Sequence, residues 1–273
     1  MSRTAAGPGR APAALAVLLL ILAGAGCRHQ PAPEPAAPPQ ATGGADPASF
    51  RVLVFTRTAG FRHPSIADGV AAIRRLGRSH GFAVDDSADP VRIGQGLDGY
   101  QAVVFLSTTG ELLDPDQQAA LRRHLQGGGG WVGVHAAADA EYDWPWYGGL
   151  VGAWFRHHPT VQRATVRPAP GAAAVAGKLP TRWERTDEWY DFAANPRGRV
   201  RVLATVDEST YTGGGMGTDH PIAWCHEYDG GRAWYTAMGH TSESFHEPRF
   251  LAHLLAGIRY AAGQTATRCG PSS

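Results

Sequence analysis

Cysteine is scarce in this sequence, with only Cys27, Cys225 and Cys269 among 273 residues. No two of them form the close pair of a zinc site and no HExxH stretch occurs, so the commonest sequence marks of a bound metal are missing. Neither sign of charge dominates. Lys plus Arg number 25 against 24 for Asp plus Glu, which leaves no basic excess to attract nucleic acid. The most apolar stretch, from Ala14 to Ala23, falls short of the roughly 20 residues of a membrane-spanning helix. There is no internal repeat of the kind that builds solenoids or propellers. What is present is a composition 43% hydrophobic, enough to bury a substantial core in one large domain or two small ones.

Arg3 and Arg10 precede the short apolar run, which is the pattern of a secretory signal. The segment Leu22-Ala-Gly-Ala-Gly-Cys27 resembles a bacterial lipobox, although Gly24 stands where an aliphatic residue is usual. The resemblance implies cleavage before Cys27 and its lipidation. Residues 1–27 are therefore expected to be a signal peptide, and the Pro/Ala-rich residues 28–49, with too few apolar side chains for a core, a disordered tether. The protein would then be exported and held at the cell envelope, periplasmic or at the cell surface, by its lipid. Cys225 and Cys269 could pair in such an oxidising compartment, but separation in sequence is no measure of distance in space. The expectation is a buried free thiol at Cys225 and a loose tail over 264–273.

Arg51-Val-Leu-Val-Phe-Thr56 reads as a strand buried on both faces. From Ser65 to His80 the apolar Ile66, Val70, Ile73 and Leu76 recur at helical spacing, with Ser65 placed as the cap. Phe82-Ala-Val-Asp and Ala102-Val-Val-Phe-Leu-Ser107 predict further strands. Asp114 to Gln126 predicts a helix, and Trp131-Val-Gly-Val-His135 another strand. This is β-α-β alternation, which gathers the strand ends Thr56, Ser107 and His135 on one side of a sheet. Beyond about Gly148 the pattern becomes strands near 161–166, 200–206, 222–228 and 233–238, with a hairpin signal at Gly230-Gly231 and a closing helix from Ser244 to Ala262.

His135 occupies the place of the attacking residue in a nucleophile elbow. No serine or cysteine stands in such a setting, which disfavours the usual hydrolases. A helix starting at His135 would favour neutral imidazole through its dipole and set Asp139 on the same face. Histidines recur at His63, His157, His158, His220 and His240, with Asp187 and Glu188 in a turn-like context. Imidazoles with a carboxylate to orient them suit acid–base chemistry near neutral pH. Strand-end histidines also serve as structural hydrogen-bonders, the plainer role for His63, His157 and His246. His29, His80, His124 and His253 read as solvated or tether residues. The aromatic cluster Tyr142, Trp144, Trp146, Tyr147, Trp154, Trp189 and Tyr190 builds core, or lends one or two rings to a sugar-binding cleft. Gly110 and the amides near Ala136 offer an oxyanion or hydroxyl nest, while Gly127 to Gly130 reads as a helix cap and loop and not as a phosphate cradle.

The motifs Gly60-Phe-Arg-His63, Gly128-Gly-Gly-Trp-Val-Gly-Val-His135 with Asp139, Phe155-Arg-His-His-Pro159, Asp187-Glu188-Trp-Tyr190, His220-Pro-Ile-Ala-Trp224, Gly231-Arg-Ala-Trp-Tyr-Thr236 and Gly239-His240 follow one another over nearly all of residues 50–263. In that order they resemble the ThuA-like domain, named for trehalose utilisation. The resemblance implies a three-layer α/β fold, flavodoxin-like and similar to class I glutamine amidotransferases, with a parallel core and added antiparallel strands. It also implies a role in carbohydrate metabolism. The amidotransferase cysteine is absent from the elbow, so glutaminase activity does not carry over. The expected catalytic set is His135, Asp139, Glu188 and His240. Substrate-binding candidates are Arg62, His63, Thr109, Trp154, His158, Asp187, Tyr190 and His220. If a divalent metal is held, its expected ligands come from His135, Asp139, His158 and His240. The expected substrate is a sugar, or an oxidised or keto sugar. The chemistry would be of the hydrolase, lyase or isomerase type, metal-assisted or not, and the alternative is a binding module without turnover.

Overall fold

The computed structural model describes residues 49–270. The expected signal peptide, Cys27 and nearly all of the tether lie outside the described residues. The first half of the domain alternates as its sequence predicts, through β1 (Arg51–Phe55), α1 (Ile66–His80), β2 (Ala83–Ser87), a short α2 (Val91–Gly94) and β3 (Ala102–Leu106). A two-residue β4 (Thr109–Gly110), α3 (Pro115–Gln126) and β5 (Gly130–Val134) complete it. β3 and β5 are buried along their whole length. Helix α1 buries Ile66, Gly69, Ala72, Ile73, Leu76 and Gly77 on one stripe. Ser65 does not cap it as expected, because its hydroxyl instead donates to the carbonyl of Gly239. At α3 a capping box forms, with Asp114 accepting from the Gln117 amide and Gln117 reaching back to the Asp114 amide.

The second half runs through β6 (Asp139–Ala140), α4 (Pro145–Val151), β7 (Phe155–His157), β8 (Gln162–Pro168), α5 (Ala173–Ala176) and β9 (Trp183–Asp187). It continues with β10 (Asp191–Phe192), β11 (Arg201–Asp207), β12 (Pro221–Tyr228), β13 (Gly231–Thr236) and α6 (Pro248–Ala261). The closing helix is thus shorter than expected, since Ser242–His246 is a 3-10 turn that Pro248 separates from α6. Nine strands form one sheet in the order β2-β1-β3-β5-β13-β12-β11-β8-β9. The pairs from β2 to β13 are parallel, and those from β13 to β9 antiparallel. The parallel part has the flavodoxin-like order, whose ligand crevice lies beyond the carboxyl ends of the strands.

Two features converge on that crevice. β4 pairs with β6, and Thr58 bridges Thr109, so the loops after β1, β3 and β5 are stitched together. The sheet also curls. Four strand spacings of about 4.8 Å would put β9 roughly 19 Å from β13 in a flat sheet. Yet the Asp187 carboxylate at the end of β9 accepts hydrogen bonds from the amides of Gly239 and His240, just past β13, at 2.9 and 3.0 Å.

Two expectations about buried groups are overturned. Cys225 is not a free thiol: it forms a disulfide with Cys269, whose Cα lies 5.7 Å away, and both residues are buried. The chain just after α6 is therefore pinned to β12. His253 is not solvated but fully buried, its Nδ1 donating to the Ala176 carbonyl at 2.8 Å, because α6 turns it beneath Trp234. His124 is also largely covered, with Nε2 3.2 Å from the Gly130 carbonyl oxygen.

The disulfide joins residues 44 apart, for which chain-entropy arguments give roughly 4 kcal/mol. Cys269→Ser should lower the urea midpoint markedly, and neither cysteine should react with iodoacetamide until the protein is reduced. Burial pushes His226 and His253 down to about 4 each. Between pH 6.5 and about 4 the unfolded chain binds protons that the native state refuses, so stability falls as the pH falls, by roughly 1 kcal/mol per pH unit for each residue. Urea unfolding at pH 7 and pH 5 should show this loss, and His253→Gln should lessen it.

Candidate active site

Strand β5 delivers its last side chain through a strained turn. His135 follows Val134 with φ of 52°, in the left-handed region where a residue other than glycine is uncommon. The Tyr235 hydroxyl fixes the turn by donating to the His135 carbonyl at 2.8 Å, and His135 Nδ1 lies 2.7 Å from the Ala237 carbonyl oxygen. Only an N–H can bind that oxygen, so the proton sits on Nδ1 and Nε2 faces the other way. The backbone thus has the elbow form expected of it, but no helix follows. His135–Ala138 is a single 3-10 turn and Asp139 begins β6, so neither the helix dipole nor a shared helical face applies.

Nε2 of His135 meets groups from three other loops. It lies 3.1 Å from Nε2 of His63, after β1, and 3.2 Å from Nδ1 of His240, after β13. The Tyr190 hydroxyl is 3.2 Å away and Glu188 Oε2 3.4 Å. Glu188 Oε2 also lies 3.1 Å from His240 Nδ1, and its Oε1 lies 3.1 Å from His158 Nδ1. Burial first, then the neighbouring His135 and His240, push His63 down to about 3. The hydrogen bond to Glu188 is the main force raising His240. Burial works to raise Glu188, but its bonds to His135 and His240 outweigh that and hold it below the usual carboxylate range. Burial raises Asp139, against the opposing bond from the Tyr142 hydroxyl at 2.8 Å.

Behind this cluster lie residues that position it. Asp187 is fully buried and ion-paired with Arg185 at 2.9 Å. Its bonds to the Gly239 and His240 amides set the loop carrying His240, in which Gly239 adopts φ of 115°. His220 is also fully buried; its Nε2 donates to the Tyr190 carbonyl at 2.8 Å while Nδ1 meets Glu208 at 2.8 Å.

A cavity of about 260 Å³ opens beside the cluster, lined by Phe61, His63, Asp139, Phe155, His158, Glu188, Tyr190 and His240. Six of these were singled out from sequence. The structure places the others elsewhere. His135 sits beneath the lining, with no exposed surface. Asp187 and His220 are turned into the protein by the bonds just described. Thr109 holds the loop before His63, its hydroxyl donating to the Phe61 carbonyl at 2.8 Å. Arg62 points outward and back to the Thr56 carbonyl. Trp154 is bonded to the Ala140 carbonyl and borders a separate hollow with His226. That hollow is larger, about 530 Å³, but gathers no comparable set of titratable groups. His157 faces Asp191 and His246 faces Asp68, both away from the cavity lining. The expected metal set also changes. His63, His135, Glu188 and His240 have ligand atoms within 4.8 Å of one another, whereas Asp139 and His158 fall outside that group. Phe61 and Phe155 were not nominated from sequence, although each lies two or three residues before a nominated histidine.

Residues 51–261 match the family model for ThuA, described as trehalose utilisation. A ThuA-like protein from Bacteroides uniformis is similar in structure, with a TM-score of 0.68 and 23% identity over 83% of this chain and 96% of that one. One from Parabacteroides merdae gives 0.65 and 21% over 83% and 98%. A β-galactosidase from Bacillus circulans shares the fold at a TM-score of 0.53 and 12% identity, over 78% of this chain and 31% of that enzyme. A comparison with curated proteins gives no match. With its fold, its ordered motifs and a match across most of its length, this chain belongs to the ThuA family, the family of trehalose utilisation.

Proposed function

We propose that this protein is exported, held at the cell envelope by a lipid on Cys27, and acts on a sugar or keto-sugar by acid–base chemistry, without a cysteine or serine nucleophile. One observation carries the reading. A small cavity is faced by a half-buried carboxyl, Asp139, by the imidazoles of His63, His158 and His240 with Glu188, and by the rings of Phe61, Phe155 and Tyr190. Its volume of about 260 Å³ lies just under the roughly 300–1,000 Å³ of typical ligand sites and favours one sugar ring. Aromatic rings suit the apolar face of such a ring.

Asp139 is the proton carrier in this reading. Burial favours its protonated form, and the Tyr142 hydroxyl fixes one of its oxygens, so it can give a proton to a substrate oxygen and take one back. The imidazoles and Glu188 hold hydroxyl or carbonyl oxygens. His135, fully buried beneath the cavity lining, is assigned a positioning role in this reading in place of the acid–base role expected from sequence. The buried disulfide supports export, since such bonds persist in oxidising compartments.

In a screen of sugars and keto-sugars, Asp139→Asn should lower kcat by about 10²–10⁴-fold, with little change in KM, while Phe61→Ala should mainly raise KM. Parent-like turnover by Asp139→Asn would sink the assignment. Sugar binding without product, lost on Phe61→Ala and Phe155→Ala but indifferent to Asp139→Asn, would mark a binding module instead. Cys27→Ser should move the protein from the detergent-extracted membrane fraction to the soluble one.

A further inference from the structure

We infer that His63 Nε2, His135 Nε2, His240 Nδ1 and Glu188 Oε2 form a binding site for one divalent first-row transition ion, with zinc the best match to the donors. The inference deepens the sugar-processing reading, on which its catalytic consequence rests; the site itself rests on geometry alone.

The first argument is spacing. Metal–ligand bonds of about 2.0–2.1 Å set tetrahedral ligand atoms about 3.3–3.4 Å apart, and octahedral neighbours about 2.8–3.0 Å apart. The four recorded separations are 3.1, 3.2, 3.4 and 3.1 Å, and all four ligand atoms lie within 4.8 Å of one another. The atoms thus stand as corners of one coordination polyhedron with four edges of matching length, though they come from loops after β1, β5, β9 and β13.

The second argument is hydrogen-bond accounting. His135 Nδ1 commits its proton to the Ala237 carbonyl at 2.7 Å, which leaves Nε2 one lone pair when the ring is neutral. Two imidazole nitrogens and the Tyr190 hydroxyl crowd that lone pair at 3.1–3.2 Å. Glu188 Oε2 stands 3.4 Å away with no proton to offer when ionised. One lone pair cannot serve all of them, whereas a cation shared by the nitrogens and the carboxylate serves each. A histidine whose far nitrogen donates to a backbone carbonyl is oriented as metal-bound histidines are. Glu188 is steadied in the same way, its second oxygen 3.1 Å from His158 Nδ1.

The donors choose the class of ion. Three imidazole nitrogens and one carboxylate, without thiolate, suit zinc, cobalt or nickel and disfavour calcium and magnesium, which prefer all-oxygen shells. His63, Glu188 and His240 line the cavity, so an ion held there meets a substrate oxygen directly and can polarise it as a Lewis acid. Asp139, outside the ligand group, remains the proton carrier.

The test uses the full chain, stripped with chelator and titrated with zinc and, separately, with cobalt(II). About one equivalent should bind, with a rise in the thermal midpoint for zinc and visible absorption bands for cobalt. Glu188→Gln and His240→Gln, at the partly open edge of the cluster, should each weaken binding by roughly tenfold or more, whereas His246→Gln should not. Two substitutions guard against one failing to fold, and circular dichroism checks each. Failure of zinc, cobalt, nickel, manganese and iron(II) all to bind, or binding indifferent to both substitutions, overturns the site. Sugar turnover that survives exhaustive chelation overturns the catalytic role of the ion while leaving the acid–base reading intact. Stoichiometric binding with no turnover of any sugar confirms the site and removes that reading.

Discussion

The buried carboxylate of Asp187 is the joint on which the cavity hangs. One of its oxygens accepts from the Gly239 amide and from Arg185, and the other from the His240 amide. These bonds close the curl of the sheet, bringing the edge strand that ends in Asp187 against the loop that follows β13. Arg185 is compensated in turn by Ser244 and Glu247 and by the rings of Trp183 and Phe250. Removing one partner from a pair this deeply buried strands the other charge, at a cost of about 3–5 kcal/mol. Without the joint, Glu188 and His240 would have no reason to meet.

Once they meet, the electrostatics follow from crowding. Three imidazoles and one carboxylate within a few ångströms cannot all hold their ordinary protonation states. The carboxylate raises the imidazole bonded to it, His240, and is itself held low, while His63, buried beside two other imidazoles, is pushed towards its neutral form. Such an arrangement is expensive for a fold that needs only packing. The same rings pack as aromatic surfaces too, His135 lying 4.4 Å from Tyr190 and 4.7 Å from His63 between centroids, so the cluster is closely packed as well as polar.

Much of the fold was legible in the sequence because its signals are local. Buried strands such as Ala102–Leu106 are continuous apolar runs, and α1 shows its helical stripe. The strand ends that gather in a crevice follow from the handedness of crossovers. Six residues of the cavity lining could be named from sequence, since His63, Asp139, His158, Glu188, Tyr190 and His240 carry chemistry that can be read one residue at a time. Their roles could not. His135 stood out at the elbow, yet it lies under the cavity floor. Asp187 and Glu188 are neighbours, yet one turns inward to the loop amides and the other outward to the imidazoles. Phe61 and Phe155 stand inside the quoted motifs but were not assigned to the site, because a ring facing a cavity and a ring facing a core look alike in a sequence.

Residue types and their periodicities decided the class of fold, the order of its elements and the stock of imidazoles and carboxylates available to a site. Those are properties of neighbours along the chain. Packing decided which of those groups face one another, that Cys225 joins Cys269, and that side-chain atoms from four loops come within 4.8 Å of one another. These outcomes depend on how far the sheet curls, and that curl is a sum over every strand pair and buried side chain, with no single segment to carry it.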